Sequence, residues 1–470
     1  MLAADSPDVQ NQKKPQITLH FINASLTWVI RLLFALFFFQ CVVVLLTRYS
    51  PPRSPGRTTS IVSISAAVNK TAEECPYGRV YVYDLPSRFN KGLLARGCRN
   101  SNSDRWQCEV ATNHGFGRLA EELRGIMPEN LIQSWYRTNQ FSLEVIFHHR
   151  ILRHRCRTRN PASAAAFYIP FYAGMAVEQY LWSNDLPRRD RRCRMLLKWL
   201  RKKQYRRRSD GSDHFLTLGR ITWDFRRPTR SANGWGSAFL NMPAMQNVTR
   251  IIIEKATWDP LELGAPYPTG FHPKTLTAVA QWQDFVRTRT RTRLFTFIGA
   301  TRPSAKEDLR GHLRSHCLNY TDSCWLVDCA AVRCDGDSSA TVEALLGSDF
   351  CLQPAGDSFT RKSVFDCMLA GSVPVFFWTG TAYDQYEGFL PEKPESFSVF
   401  IDHGAVWNGT SPVKNVLMKY GKEEILRMRE KVIETIIPRI IYGDPMGGLL
   451  DFRDGFDLAL ERVLKRIATS

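Results

Sequence analysis

Apolar positions along residues 75–377 fall into short buried runs separated by amphipathic stretches. Residues 79–84 (RVYVYD), 164–170 (AAAFYIP), 214–218 (HFLTL) and 250–254 (RIIIE) are β-branched and aromatic runs of strand length. Between them, Gly115-Phe116-Gly117 opens a predicted helix over about 118–126, and 139–154 (NQFSLEVIFHHRILRH) predicts another. A basic helix follows, with Met195, Leu196, Trp199 and Leu200 at helical spacing. A Pro-rich stretch, 265–273 (APYPTGFHP), breaks the pattern. A second block then runs through 294–298 (LFTFI), 349–354 (DFCLQP), a helix over 360–370 and 372–377 (SVPVFF). The last stretch predicts helices interrupted at Pro438. Strands alternating with helices predict parallel sheets with both faces covered. The reading is α/β: two Rossmann-like, doubly wound domains facing a cleft at the carboxyl ends of their strands, where such folds bind ligands.

Upstream, residues 26–46 are 21 residues with one charge, Arg31, enough to span a bilayer as a helix. This predicts a cytosolic tail (1–25), a transmembrane signal-anchor (26–46) and a flexible Ser/Thr/Pro/Arg-rich stem (47–74). A first Rossmann-like domain (75–290), a second (291–425) and C-terminal helices (426–470) follow. Basic residues flank the anchor equally, so charge does not orient it. N-glycosylation sequons at Asn69, Asn247, Asn319 and Asn408 all follow the anchor and favour a lumenal body.

The 470 residues carry a net charge of +18, which raises the question of nucleic acid. Residues 188–208 hold net +11 and 287–293 (RTRTRTR) net +4, so the rest is nearly neutral. The first run reads as the solvated face of its helix and the second as an exposed segment near a domain junction. No nucleic-acid-binding motif accompanies them, and no nucleic-acid partner is expected. Eleven of the twelve cysteines lie beyond the anchor, an odd number that leaves at least one thiol unpaired or paired between chains. Cys317, Cys324, Cys329 and Cys334 predict disulfides rather than zinc, since two tight C-x₂₋₄-C pairs are missing. Cys98 and Cys108 are placed to close a small loop, and Cys351 and Cys367 read as buried thiols. Asp335-Gly336-Asp337 reads as a turn, and no metal site is expected.

The chemistry concentrates in 349–377, DFCLQPAGDSFTRKSVFDCMLAGSVPVFF. A strand, a Gly356-Asp357-Ser358 turn and a helix starting near Thr360 offer unpaired N–H groups to a pyrophosphate. Arg361 and Lys362 add charge, and Ser358, Thr360 and Ser363 add hydroxyl donors. Asp366, two turns along, suits ribose hydroxyls. The alternative is a capped helix with an internal basic–acidic pair. Gly299 and Arg302 follow LFTFI on the cleft edge, as a second phosphate-facing loop. After HFLTL, Arg220 joins these phosphate-facing residues, and Asp224 between Trp223 and Phe225 is the candidate base, unless an arginine holds it. His114 is a second candidate base, and Trp223 and Tyr172 are offered for stacking on acceptor sugars.

The segment FCLQPAGDSFTRKSVFDCMLAGSVPVFFW resembles the nucleotide-sugar segment of plant exostosin-type glycosyltransferases, family GT47. CPYGRVYVYDLPSRFN, WYRTNQFSLEVIFHHRIL, AAAFYIPFYAGMAVEQYLW, DHFLTLGRITWDFRR, PYPTGFHP and LFTFIGATRP resemble its xyloglucan galactosyltransferase branch over roughly 75–465. The resemblance implies a GT-B fold and a single-pass type II Golgi protein of hemicellulose synthesis. It implies inverting, metal-independent transfer of galactose from UDP-galactose to xylose side chains of xyloglucan, with no cofactor. Its pattern maps onto Gly356, Asp357, Ser358, Thr360, Arg361, Ser363 and Asp366. Association with other glycan-synthesis enzymes fits this setting. Another UDP-sugar (galacturonic acid, arabinose), another wall glycan, or a non-catalytic scaffold are the competing readings.

Overall fold

A computed structural model describes residues 31, 33–37, 40, 75–97, 108, 110–178, 180–181, 183, 185–228, 234–301, 308–332, 334, 338–445 and 450–469. The chain packs as two units, Met1–Ala66 and Ala67–Ser470. In the first, Arg31, Leu33–Phe37 and Gln40 are helical and exposed. The rest of the predicted anchor, the stem and Asn69 lie outside the described residues. Among the described residues no helix is long and apolar enough to cross a membrane.

The second unit holds two parallel sheets. The first contains β1 (Val80–Val82), β2 (Arg157–Thr158), β3 (Ala166–Ile169), β4 (His214–Leu218), β5 (Thr249–Ile252) and β6 (Glu262–Gly264) in the order β2-β1-β3-β4-β5-β6. The second contains β7 (Arg293–Gly299), β8 (Cys324–Asp328), β9 (Ser348–Gln353), β10 (Val373–Phe376) and β11 (Val399–Phe400) in the order β11-β10-β9-β7-β8. All pairings are parallel. Every residue of β3, β4, β5 and β10 is buried, which is why these runs show no alternation of an apolar and a solvated face.

The helices that cover these sheets include α1 (Leu143–Ile151), α2 (Leu186–Leu200) and α3 (Lys362–Leu369). Alternation along a strand decides which core each side chain enters. From β3, Phe167 and Ile169 point to the face covered by Leu196 and Leu200 of α2, and Ala166 and Tyr168 to the opposite face. A fourth helix, α4 (Gly455–Thr469), returns to the first sheet. Its Phe456, Leu460 and Leu464 pack in one core with Val80, Tyr168, Phe215 and Ile251. The second sheet buries Phe295, Phe297, Phe350, Leu352 and Val375 together with Leu313 and Leu417.

Several expectations need correction. Residues 118–126 form no α-helix: Leu119 bridges Tyr136, and Gly125 at φ +85° turns the chain after a single turn at Glu121–Leu123. RTRTRTR is not one exposed run. Arg287 and Thr288 finish the helix Leu276–Thr288, Arg293 opens β7, and Arg291 turns inward. Arg291 donates to the carbonyls of Leu345, Ser348 and Ala370, and burial lowers its pKa to about 9. Cys351 and Cys367 are not thiols; they form a disulfide joining β9 to α3. Cys75–Cys156, Cys317–Cys324 and Cys329–Cys334 are also bonded, so the cysteine cluster forms disulfides and not a zinc site. Cys193 is a buried free thiol, and Cys108 is disulfide-bonded. Cys98 and Asp335-Gly336-Asp337 lie outside the described residues.

Candidate active site

The loop 354–361 leaves the carboxyl end of β9 and feeds α3. The Gly356 amide donates to the Ser358 carbonyl at 3.1 Å. The Arg361 guanidinium lies against Gly356 so closely that a Cβ there would sit 1.3 Å from Nη2. Glycine at this position therefore makes the seat of Arg361. Ser363 donates to Gln353 Oε1 at 2.8 Å, tying the first turn of α3 to the strand end. Arg361 occupies the N-cap without a side-chain cap and its carbonyl accepts the Val364 amide at 3.2 Å, so the amides of Lys362 and Ser363 are the donors left at the start of α3. Lys362 Nζ reaches both oxygens of Asp366 at 2.7 Å. Burial raises the Asp366 pKa, and Lys362 opposes that shift.

Glu254, just beyond β5, joins this loop to the first sheet. Its Oε2 accepts the Thr360 amide at 2.9 Å, and its main-chain carbonyl accepts the Thr222 amide at 3.1 Å. The buried Ser358 hydroxyl is set against the same carboxylate and favours its charged form. Burial raises the Glu254 pKa against the pull of the Thr360 amide and the Arg361 charge. Tyr386 donates its hydroxyl to the Ile253 carbonyl at 2.7 Å and accepts from Thr360 Oγ1 at 2.8 Å. Tyr267 is buried beside Glu254, Arg361 and Asp224, and burial holds its phenol well above its ordinary value. Glu254, Tyr267 and Tyr386 escaped the sequence reading. Only the position of Glu254 directly after a buried strand signalled it.

On the first-sheet side, Glu144 in the first turn of α1 accepts the amides of Gly174 at 2.8 Å and Gly219 at 3.1 Å. A Cβ on Gly219 would press within 2.6 Å of the Phe141 carbonyl, so glycine lets this backbone approach the carboxylate. Burial raises the Glu144 pKa to about 8. Arg220 lies over the Phe141 ring and is shared by Asp224 (Nε to Oδ2, 2.6 Å) and Glu178 (3.4 Å). Those two carboxylates fix its position on the first-sheet side. Trp235 Nε1 donates to Asp224 Oδ1 at 2.7 Å.

Asp224 therefore has both oxygens engaged and is 2% exposed. It anchors Arg220 and Trp235 and presents no open edge as a base. His114 stacks on His149 with ring centroids 3.7 Å apart, on backbone at φ +59°. Burial and Arg153 lower its pKa, and its charged neighbours are Arg153 and Asp444 rather than residues of the 354–361 loop. Tyr172 is 3% exposed and its hydroxyl bonds His148 Nδ1 at 3.0 Å, so it is a core residue and not a stacking platform. Trp223 is 40% exposed and does face outward.

Asp357 is exposed at the loop tip, and Gly299 ends β7 with its carbonyl accepting the Cys329 amide at 3.2 Å. Arg302 lies outside the described residues. Asn247, Asn319 and Asn408 are exposed. Among the described residues no cluster of His, Cys, Asp or Glu could hold a metal ion. A cavity of about 530 Å³ opens elsewhere, between Cys75–Gly78, the end of α1 and α4, and no residue of the 354–361 loop lines it.

The exostosin GT47 domain matches residues 74–417. The xyloglucan galactosyltransferase XLT2 of Arabidopsis thaliana is 52% identical over 395 residues, covering 84% of this chain and 76% of that protein. The xyloglucan galactosyltransferase MUR3 of the same plant is 38% identical over 424 residues, covering 89% and 68%. Its xyloglucan-specific galacturonosyltransferase 1 is 39% identical over 402 residues, covering 85% and 58%.

Proposed function

Because the chain belongs to the exostosin GT47 family, we propose that it transfers galactose from UDP-galactose to xylose side chains of xyloglucan. The 52% identity to a xyloglucan galactosyltransferase over 84% of the chain carries this reading. The two parallel sheets serve as the two lobes of a GT-B enzyme. The diphosphate sits on the free amides at the start of α3, with Arg361 held over Gly356. The Ser358 hydroxyl, beside Glu254, faces a phosphate oxygen, and the Asp366 carboxylate shared with Lys362 takes the ribose.

In the reaction a xylose hydroxyl oxygen attacks the anomeric carbon from the face opposite UDP. The bond from that carbon to the phosphate oxygen breaks, and UDP leaves with the electron pair. The hydroxyl proton passes to a carboxylate of the first lobe. Arg361 and the helix end stabilise the departing charge, so no metal is required. The exposed sequons and the disulfides support an oxidising lumen, with residues 26–46 as a Golgi signal-anchor and other glycan-synthesis enzymes alongside.

A transfer assay on the full-length chain tests this reading. UDP-galactose and other UDP-sugars are offered with xylosylated glucan oligosaccharides, with and without chelator, and the products are mapped by mass spectrometry. Galactose on xylose, insensitive to chelator, is expected. Transfer only of galacturonic acid would move the protein to the activity of its 39% identical relative. Absence of both transfer and UDP binding would refute an enzyme.

A further inference from the structure

Three exposed indoles and one phenyl ring gather where the two lobes meet. Trp223, 40% exposed, lies 5.7 Å from Trp258, 60% exposed, and 6.2 Å from Phe359. Phe359 in turn lies 4.5 Å from Trp378, 41% exposed. Trp223 and Trp258 come from loops beyond β4 and β5, Phe359 from the 354–361 loop and Trp378 from the residues just after β10. Large apolar rings normally leave water, and four in contact at a surface mark a binding patch rather than scatter.

The wall is also held in place. The turn Thr222–Phe225 that carries Trp223 is fixed by the Thr222 amide on the Glu254 carbonyl and by Asp224 between Arg220 and Trp235. The adjacent Thr360 amide fixes Phe359 through the Glu254 carboxylate. One residue, Glu254, thus holds the footing of rings on both lobes. Gly380 leaves room for Trp378: a Cβ there would come within 2.9 Å of the indole.

The geometry points to this wall as the seat of the acceptor's β-linked glucan backbone. A β-linked pyranose exposes flat faces of axial C–H groups, and these stack on aromatic faces. Rings drawn from both lobes suit an oligomer, whereas a single uracil needs only one. The wall starts beside the α3 seat and continues onto the first lobe through Trp258, so a chain lying on it passes the anomeric carbon of the donor. The assignment of the chain as xyloglucan rests on the proposed function; the assignment of the wall to a glucan rests on the rings.

The test measures steady-state kinetics of the full-length chain and its retardation in native gels containing xyloglucan or hydroxyethyl cellulose. For Trp258→Ala the acceptor KM rises about five- to tenfold, while kcat and the UDP-galactose KM stay within about twofold. Gel retardation weakens, and Trp258→Phe restores most of both. Trp378→Ala repeats the result from the other lobe. An unchanged acceptor KM and retardation in an active wild type would overturn the proposal. So would an effect confined to the UDP-galactose KM, which would assign the rings to the nucleotide. A wild type that transfers no sugar but is retarded through Trp258 would refute the activity and support the wall.

Discussion

Gly356→Ala separates the seat of Arg361 from the fold around it. The added methyl would overlap Nη2 at 1.3 Å and Cζ at 1.8 Å, so the guanidinium must leave. What yields is the far end of a flexible side chain, and Gly356 has no left-handed φ to lose. The stability change is therefore small, within about 1 kcal/mol, and can even be favourable as the unfolded chain loses freedom. Activity behaves differently. A displaced charge no longer faces the leaving diphosphate, and loss of one such preorganised donor lowers turnover about 10²- to 10³-fold, or roughly 3–4 kcal/mol.

Because both changes act on one group, Arg361→Ala and the double variant Gly356→Ala/Arg361→Ala should be nearly equal in kcat/KM. The non-additivity would then match the single effect. Thermal melts establish that each variant is folded, and transfer kinetics read the cycle. A folded Gly356→Ala protein with activity within twofold of wild type would refute the seat. A double variant showing the full product of two independent losses would also refute it.

Glu144→Gln tests the buried carboxyl under α1. The native state keeps its proton up to about pH 8, while the unfolded chain releases it near the ordinary carboxylate value. Its contribution is therefore intact at pH 4 and falls by roughly 1.4 kcal/mol per pH unit as pH rises toward 8. Denaturant midpoints between pH 5 and 8 should fall less steeply in the variant, and identical slopes would refute the shift. Asp224→Asn should lower kcat/KM about 10- to 100-fold by loosening Arg220, leaving the acidic limb of the pH profile in place. Disappearance of that limb would restore Asp224 as the base. Non-reducing peptide mapping should recover Cys351 bonded to Cys367, with Cys193 alkylated only after unfolding. Alkylation of Cys351 or Cys367 in the native protein would contradict this pairing.

The chain advertised its strands well where they are buried on both faces. RIIIE, HFLTL and AAAFYIP can satisfy neither a solvated face nor a helix stripe, and each became a central strand. Two-residue edge strands such as β2 and β11 carry no such pattern and were not visible. The 349–377 loop and helix were legible because a turn, basic residues and a helix start coincide within a dozen positions. Partners distant in sequence were not. Nothing near Asp224 foretells Trp235 on one oxygen, and nothing near Thr360 foretells a carboxylate 106 residues upstream. Tyr172 failed for a related reason: an aromatic beside a strand end reads the same whether it meets a sugar or, as here, a buried histidine. The two cysteines of strand and helix seemed separate because only the packing of α3 on β9 brings them together.

Helix α4 has a consequence for synthesis. Its Phe456, Leu460 and Leu464 complete a core whose other members lie as early as Val80. The amino-terminal lobe therefore cannot close while the nascent chain is still short of residue 455. Domains generally fold in order of emergence, yet here the early strands must wait, with one sheet face uncovered, until almost the whole polypeptide has left the ribosome. Folding factors that shield apolar surface would be needed longest for this face. Shortening the chain by its last fifteen residues should strip the first lobe's core rather than trim an appendage.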